Sequence, residues 1–481
     1  MGPRARNASS RRYKLRRPMD RNHRIRFLLV TICTALMFSS VAARLVFLHC
    51  FLNKDVITNL LQKQHAIVPI ASSRGSVYDR NMHVLATTVQ VMSLHAVTKE
   101  IKSVRAAASQ LAPLLGVPAT QIARTLNTKK SFVWIARQLE PSVGDKVKQL
   151  HLDGIYLTPE PRRFYPKNKL AAHVLGITGI DGQGLEGLES RYDDILRGED
   201  GHIVVLRDPV GRPLLPLLDE RKDPTGGNHL VLTIDEDIQN AAQEALRHAC
   251  EKYKPERGMA VVENPRTGDI LAVANWPEFD PNKFTQYSAN TRRNAAFVDV
   301  FEPGSAFKIV TATGALEEHL VKPYETINCH NGRLVYCGDT IRDVHAMKEV
   351  SFVEVIEKSS NIGTIEVADR MGPELFDQYV HRFGFGQRVG TGFPGEPRGI
   401  LRPLERWSKR SMGALPIGQE IAVTCMQLAQ AFSALANGGT MIRPRLVDRI
   451  LSNDGSVVSQ MDHKAVGSVC SPSVAKMVTE I

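Results

Sequence analysis

No acidic residue precedes Asp20, and no charge of either sign interrupts Phe27 to Ala43. Residues 1–26 carry nine Arg and one Lys against that single Asp, a local charge of +9. The whole 481-residue chain carries +11, so the other 455 residues hold only about +2. A basic excess is therefore missing from the body of the protein, which excludes a general nucleic-acid-binding surface. The seven cysteines lack the paired spacing of a zinc site. Cys329, Cys337 and His345 come nearest, with no fourth ligand to complete them. Phe383-Gly384-Phe385-Gly386 lacks the strand–turn–helix context of a dinucleotide loop. No cofactor and no metal is expected. A hydrophobic share of 43% with 23% charged residues excludes wholesale disorder, and the length suits two or three domains.

What is present begins with the apolar span. Phe27 to Ala43 is near the lower length limit of a membrane helix, and after Arg44, which can snorkel, apolar character resumes to Leu52. The dense basic flank argues for an uncleaved anchor over a cleavable signal, despite Val41-Ala42-Ala43, and over a core helix. The expected order is a basic cytoplasmic tail over 1–26, an anchor over 27–52, a mixed α and β domain over 53–225, and a second domain over 226–481. Basic residues before the span predict a cytoplasmic N-terminus with the bulk outside. In such a compartment Cys329 and Cys337, flanking a short hairpin, are expected to form a disulfide.

Residues 53–225 contain two turn-rich stretches, RGSVYDRN from Arg74 and a run from Arg163 through GIDGQGLEGLE to Glu189. Neither places a nucleophile beside a base, so both read as architecture. Asp223 to Gly227 reads as a linker. After it come a strand over His229–Ile234 and a helix capped by Asp235, with an apolar face of Ile238, Ala241, Ala245 and Cys250. Met259–Val262 and Ile270–Ala274 flank Asn264-Pro-Arg-Thr-Gly268 as a hairpin, and a mainly helical stretch runs on to Leu435. A hairpin beside helices implies an α+β domain. Short strands flank Asp454-Gly455, and Ser471–Ile481 opens an amphipathic helix presenting Val474, Met477 and Val478.

The chemistry is concentrated in Glu302-Pro-Gly-Ser305-Ala-Phe-Lys308. Pro-Gly breaks the preceding segment, so Ser305 falls at a helix start where free N–H groups favour an oxyanion. Lys308 lies one turn on, on the same face, and a desolvated neutral lysine can take a serine proton. Alone, this pattern is weak, since Ser473-x-x-Lys476 repeats it by chance. Lys358-Ser359-Ser360-Asn361 adds a hydroxyl and an amide between two helical segments, suited to relaying a proton and holding a carbonyl. Ser288-x-Asn290 is a decoy that precedes the nucleophile.

EPGSAFK, KSSN, RNAAFVDVFEPGS and ENPRTGDILAVAN resemble the transpeptidase domain of class B penicillin-binding proteins, sharing the paired motifs with serine β-lactamases. The turn-rich stretches resemble that group's non-catalytic, dimerisation-like pedestal, and the resemblance covers nearly the whole chain in order. It implies a single transmembrane helix, a mixed α/β pedestal and a catalytic domain of helices on an antiparallel sheet, in a bacterial cytoplasmic membrane. It further implies that Ser305 attacks D-Ala-D-Ala stem peptides, with Lys308 as base, Ser359 as relay and Asn361 orienting the amide. β-Lactams would acylate the same serine. Implied partners are the membrane, a glycosyltransferase and other wall-synthesis proteins, but no nucleic acid. Gly413–Gln419, with Thr424 and Gln427, resembles a segment bordering the site.

One element of the pattern is missing: the sequence holds no Lys-Thr/Ser-Gly triplet. The family's third motif and three strands of its sheet would follow residue 481. The expectation is therefore a reading frame interrupted before them, and a poor acylation catalyst. A division-type role is expected, with an elongation-type paralogue or a non-catalytic scaffold as the alternatives.

Overall fold

The computed structural model describes residues 21–50, 65–207 and 213–481. The basic tail over 1–20, the expected end of the anchor at 51–52 and the start of the pedestal at 53–64 lie outside the described residues. Two compact units are present, one of residues 1–68 and 202–221, the other of 69–201 and 222–481.

The first unit contains helix α1 (Arg21–Cys50). It is long and apolar enough to cross a membrane. Phe27, Leu28, Leu36 and Phe38 are all exposed, so its apolar surface is left uncovered. Thr31 and Thr34 donate their hydroxyls to the carbonyls of Phe27 and Val30, so these polar side chains are satisfied within the helix. The helix fits a membrane anchor. Strands β1 (His65–Ile70), β6 (Gly201–Arg207) and β7 (Pro213–Lys222) form a three-stranded sheet in the order β1-β6-β7.

The second unit is mixed α and β. Its N-terminal part contains β2 (Val77–Tyr78), β3 (Val84–Val97), β4 (Phe132–Leu139) and β5 (Ile155–Phe164). Helices α2 (Val104–Leu115), α3 (Ala119–Leu126) and α4 (Pro141–Gln149) cover one face of these strands. Strand β8 (His229–Leu232) is four residues long and runs parallel to β2. On its other edge it pairs with β15 (Val447–Leu451), which in turn pairs with β16 (Val457–Gln460). Seven strands are thus joined in one sheet, drawn from both halves of the sequence. The core beneath it mixes Val77, Leu85 and Leu175 with Leu230, Ile270, Phe297 and Met426.

The segment read as a linker is pinned rather than loose. Gly227 N donates to Ser73 O, and a Cβ on Gly227 would lie 1.8 Å from Leu196 O. Glycine there permits two backbones to touch. Helix α5 (Glu236–Tyr253) is capped by Asp235, as the sequence suggests, but its buried face is rotated from the expected one. Ala241 and Ala245 are exposed, whereas Gln239 is buried. The reason is a pair of hydrogen bonds: the Gln239 amide receives Val273 N–H and donates to Val273 O, both at 2.8 Å. Those bonds dock α5 on the hairpin of β9 (Gly258–Glu263) and β10 (Ile270–Trp276), which is antiparallel as expected.

Helices α6 (Lys308–Glu317), α7 (Phe352–Glu357), α8 (Asn361–Arg382) and α9 (Cys425–Ala436) follow, with α10 (Pro472–Glu480) packed on α6 and α9. Phe307, Phe352, Phe376, Phe383 and Phe385 fill the space between them. The stretch is less purely helical than expected. Strands β11 (Thr326–Asn328) and β14 (Glu349–Ser351) pair across it, and β12 (Arg333–Tyr336) with β13 (Asp339–Arg342) form a hairpin.

Candidate active site

Gly304 takes φ +56°, which lets Pro303-Gly304 turn the chain sharply into a 3-10 turn over Gly304–Phe307 and then α6. Phe307 anchors that turn from inside, its ring 4.9 Å from Phe385. Ser305 is left exposed at the helix start while Lys308, one turn on, is only 3% exposed. Burial pushes the Lys308 ammonium down to about 8, opposed by the nearby charge of Asp343.

Three oxygens receive the Lys308 ammonium: Ser359 O at 2.6 Å, Ser359 Oγ at 2.9 Å and Asn361 Oδ1 at 2.9 Å. Ser359 and Asn361, 51 and 53 residues from Lys308 in sequence, therefore meet it at one nitrogen. Ser305 is not among that nitrogen's partners; it joins the group through the shared turn.

The KSSN segment holds its shape for local reasons. Ser360 N donates to Val355 O and Ser359 N to Ile356 O, the paired bonds of a Schellman ending on α7. Ser359 occupies the left-handed position of that motif, at φ +56°, where glycine is usual. Ser360 then caps α8, accepting Gly363 N at 2.9 Å. Asp343, which sequence reading missed, binds the whole turn. Its carboxylate accepts Ser360 Oγ and Asn361 N at 2.6 Å each, and Ile362 N at 3.1 Å. Asn361 Nδ2 donates to Arg342 O at 3.1 Å, which aims Oδ1 at Lys308. No motif spacing points to Asp343, and the hairpin it follows lies in a stretch that reads as mainly helical.

The segment from Gly413 borders Ser305. Gly418 O accepts Gly304 N at 3.1 Å, and a Cβ on Gly418 would sit 2.1 Å from Gly304 O. Phe301 and Val423 exchange backbone hydrogen bonds beside it, and Thr424 with Gln427 forms the capping box of α9. Next to Asn361 a cleft of about 480 Å³ opens between Arg342, Arg410, Ile417 and Gln419.

Comparison with known proteins follows the same lines. Residues 258–481 match the penicillin binding protein transpeptidase domain, and residues 69–232 match the penicillin-binding protein dimerisation domain. The chain is 38% identical over 438 residues to the probable peptidoglycan D,D-transpeptidase PenA of Neisseria meningitidis, covering 89% of this chain and 74% of that one. It is 31% identical over 432 residues to the peptidoglycan D,D-transpeptidase FtsI of Escherichia coli, covering 88% and 73%. The chain belongs to the class B penicillin-binding proteins.

Solved relatives of this penicillin-binding protein include a peptidoglycan synthetase from Bifidobacterium adolescentis, with TM-score 0.66 and 27% identity over 86% of this chain and 80% of that one. Penicillin binding protein 3 of Mycobacterium tuberculosis, solved with aztreonam, gives 0.64 and 28% over 86% and 74%. The family is one of peptidoglycan D,D-transpeptidases and β-lactam targets.

One expectation for this penicillin-binding protein fails. Cys329 and Cys337 are both free thiols. Cys329 is buried at the end of β11, its sulfur 3.5 Å from Ser360 Oγ. Cys337 and Gly338, at φ +48° and +91°, form the two-residue tip of the β12–β13 hairpin, and the Cys337 thiol donates to Lys409 O. A turn with both central residues left-handed is the tight hairpin type, and it carries Cys337 to the far end of the ribbon. Among the described residues, Cys329, Cys337 and His345 do not converge as metal ligands.

Proposed function

We propose that Ser305 is the acylated nucleophile and that Lys308, Ser359 and Asn361 serve it. The observation that carries this reading is the buried Lys308 nitrogen held at once by Ser359 and Asn361. Neutral Lys308 takes the Ser305 proton as Oγ bonds to the carbonyl carbon of the penultimate D-Ala. The Ser359 hydroxyl passes a proton to the departing D-Ala amine and recovers one from Lys308, so the protons balance. Asn361, its amide fixed by Arg342 O, orients the substrate amide. An amine of a neighbouring stem peptide then displaces Ser305 and closes the cross-link. The substrates are carried over from the family, and so is the reading of a septal, division-type role beside a glycosyltransferase.

The N-terminus is cytoplasmic and the catalytic unit lies outside the cytoplasmic membrane, a reading supported by the basic residues preceding α1. An exported-only reporter fused after Gly226 is expected to be active; activity of a cytoplasm-only reporter there would reverse the topology. The chemical assignment is tested by incubating the protein with fluorescent penicillin and mapping the adduct by mass spectrometry. The adduct is expected on the peptide containing Ser305 and absent from Ser305→Ala. An adduct on another serine, or one surviving in Ser305→Ala, refutes the assignment.

A further inference from the structure

The solvent face of the pedestal sheet carries aromatic rings where polar side chains are the rule. Successive residues of a strand point to opposite faces. Leu94 and Ala96 of β3 turn inward, joined by Val133 and Ile135 of β4 and Ile155 and Leu157 of β5, under α2, α3 and α4. His95, Trp134 and Tyr156 therefore face outward. His95 is in register with Trp134 on one side and Tyr156 on the other, so three strands each contribute one ring to a single row. Neighbouring ring centres are 5.6 and 5.7 Å apart, and Phe132 packs 4.8 Å from His95. Phe132, Trp134 and Tyr156 are 46%, 39% and 45% exposed.

The rim of the row is polar. The Tyr156 hydroxyl donates to Glu100 at 2.6 Å, and Thr158 Oγ1 lies 3.2 Å from His95 Nδ1. The Arg137 guanidinium sits over Trp134 and is neutralised by Glu160 and Asp181. Partial burial lowers the His95 pKa, which favours the uncharged imidazole.

We propose that this row is a binding site for a glycan strand, the uncharged sugar backbone of the polymer on which the family acts. The inference rests on that family substrate and not on the role of Ser305. Aromatic faces carry negative charge density and attract the polarised C–H groups of a pyranose ring, while tyrosine and histidine edges meet its hydroxyls. A narrow row suits a linear ligand. The three exposed rings offer roughly 250 Å², whereas a stable protein partner needs about 800 Å² from each side. The cation over Trp134, Arg137, already faces two carboxylates, which leaves it little charge to offer an anionic ligand.

The test uses the full, detergent-solubilised chain and a hexamer of β-1,4-linked N-acetylglucosamine, with binding measured by calorimetry. Saturable binding is expected, weakened about tenfold or more in Trp134→Ala and in Tyr156→Ala, each loss amounting to one stacking contact or more. Trp134→Phe should retain most of the affinity. The two alanine changes sit on different strands, so a local folding defect in one does not decide the outcome. Penicillin labelling of Ser305 should be unchanged in both, which separates this proposal from the catalytic one. Absence of binding by the unaltered protein, or alanine variants that bind as it does, overturns the site. So does conversion of a sedimenting dimer to monomer by Trp134→Ala, which would assign the face to a second copy.

Discussion

Lys308 has two conflicting requirements. As the proposed base it must be neutral to accept a proton from Ser305, yet its three oxygen partners and the Asp343 carboxylate favour the ammonium. Burial decides the balance, bringing it down to about 8. The base is the deprotonated form, so acylation rises with pH and levels off above that value. At pH 6 only about 1% of Lys308 is neutral, and the rate should fall about tenfold per unit below pH 7. Stopped-flow acylation by a chromogenic cephalosporin from about pH 6 to about pH 10, roughly two units either side of that value, would show the profile. Asp343→Asn removes the one charge that raises the Lys308 value, so its inflection should move to lower pH while the plateau drops as the KSSN turn loosens. A flat profile, or an inflection moving upward in Asp343→Asn, would mean that Lys308 is not the base.

At the level of elements, the turn between α7 and α8 combines a helix ending and a helix start in consecutive serines. Ser359 fills the left-handed slot that usually belongs to glycine, and a non-glycine residue there costs about 1–2 kcal/mol. Two variants isolate that cost. Ser359→Ala and Ser359→Gly both remove the hydroxyl that contacts Lys308, and both should lose most acylation. Ser359→Gly should nevertheless be the more stable of the two by about 1 kcal/mol in urea unfolding, because only it lacks a Cβ at positive φ. Equal stabilities would show that the turn relaxes once the hydroxyl is gone. This turn also shows what was legible in the sequence. KSSN between two helices, the Asp235 cap, the β9–β10 hairpin and α10 are local patterns, and all are present. Asp343, the rotated face of α5 and the free Cys329 and Cys337 depend on contacts between distant segments. Gln239 reads as a surface residue until Val273 supplies its two backbone partners. Cys329 and Cys337 read as a pair until the β12–β13 ribbon takes Cys337 to its tip.

Across the second unit as a whole, the turn-rich stretches that carried no chemistry hold the pedestal to the catalytic part. Arg74 and Arg163 both bind Glu189, at 2.6 and 2.7 Å, with Arg74 also reaching Asp193 at 2.6 Å. Arg74, Arg163 and Glu189 have side chains no more than 5% exposed. Arg163 Nη1 continues to Gly75 O, and Gly75 lies against Asn228, which leads into β8. The ion cluster therefore braces the point where the shared sheet passes from β2 to β8. Replacing such a cluster with apolar residues can be neutral, but removing one partner strands the others without a counter-charge. Glu189→Ala leaves Arg163 without a carboxylate and should cost about 3–5 kcal/mol. Because the sheet and the core beneath it draw on both halves of the sequence, the loss should not stay in the pedestal. Urea unfolding followed by circular dichroism and by penicillin labelling of Ser305 should shift together, with one midpoint for both signals. If labelling persists at urea concentrations where the pedestal signal is gone, the two parts unfold separately and the cluster braces only its own neighbourhood.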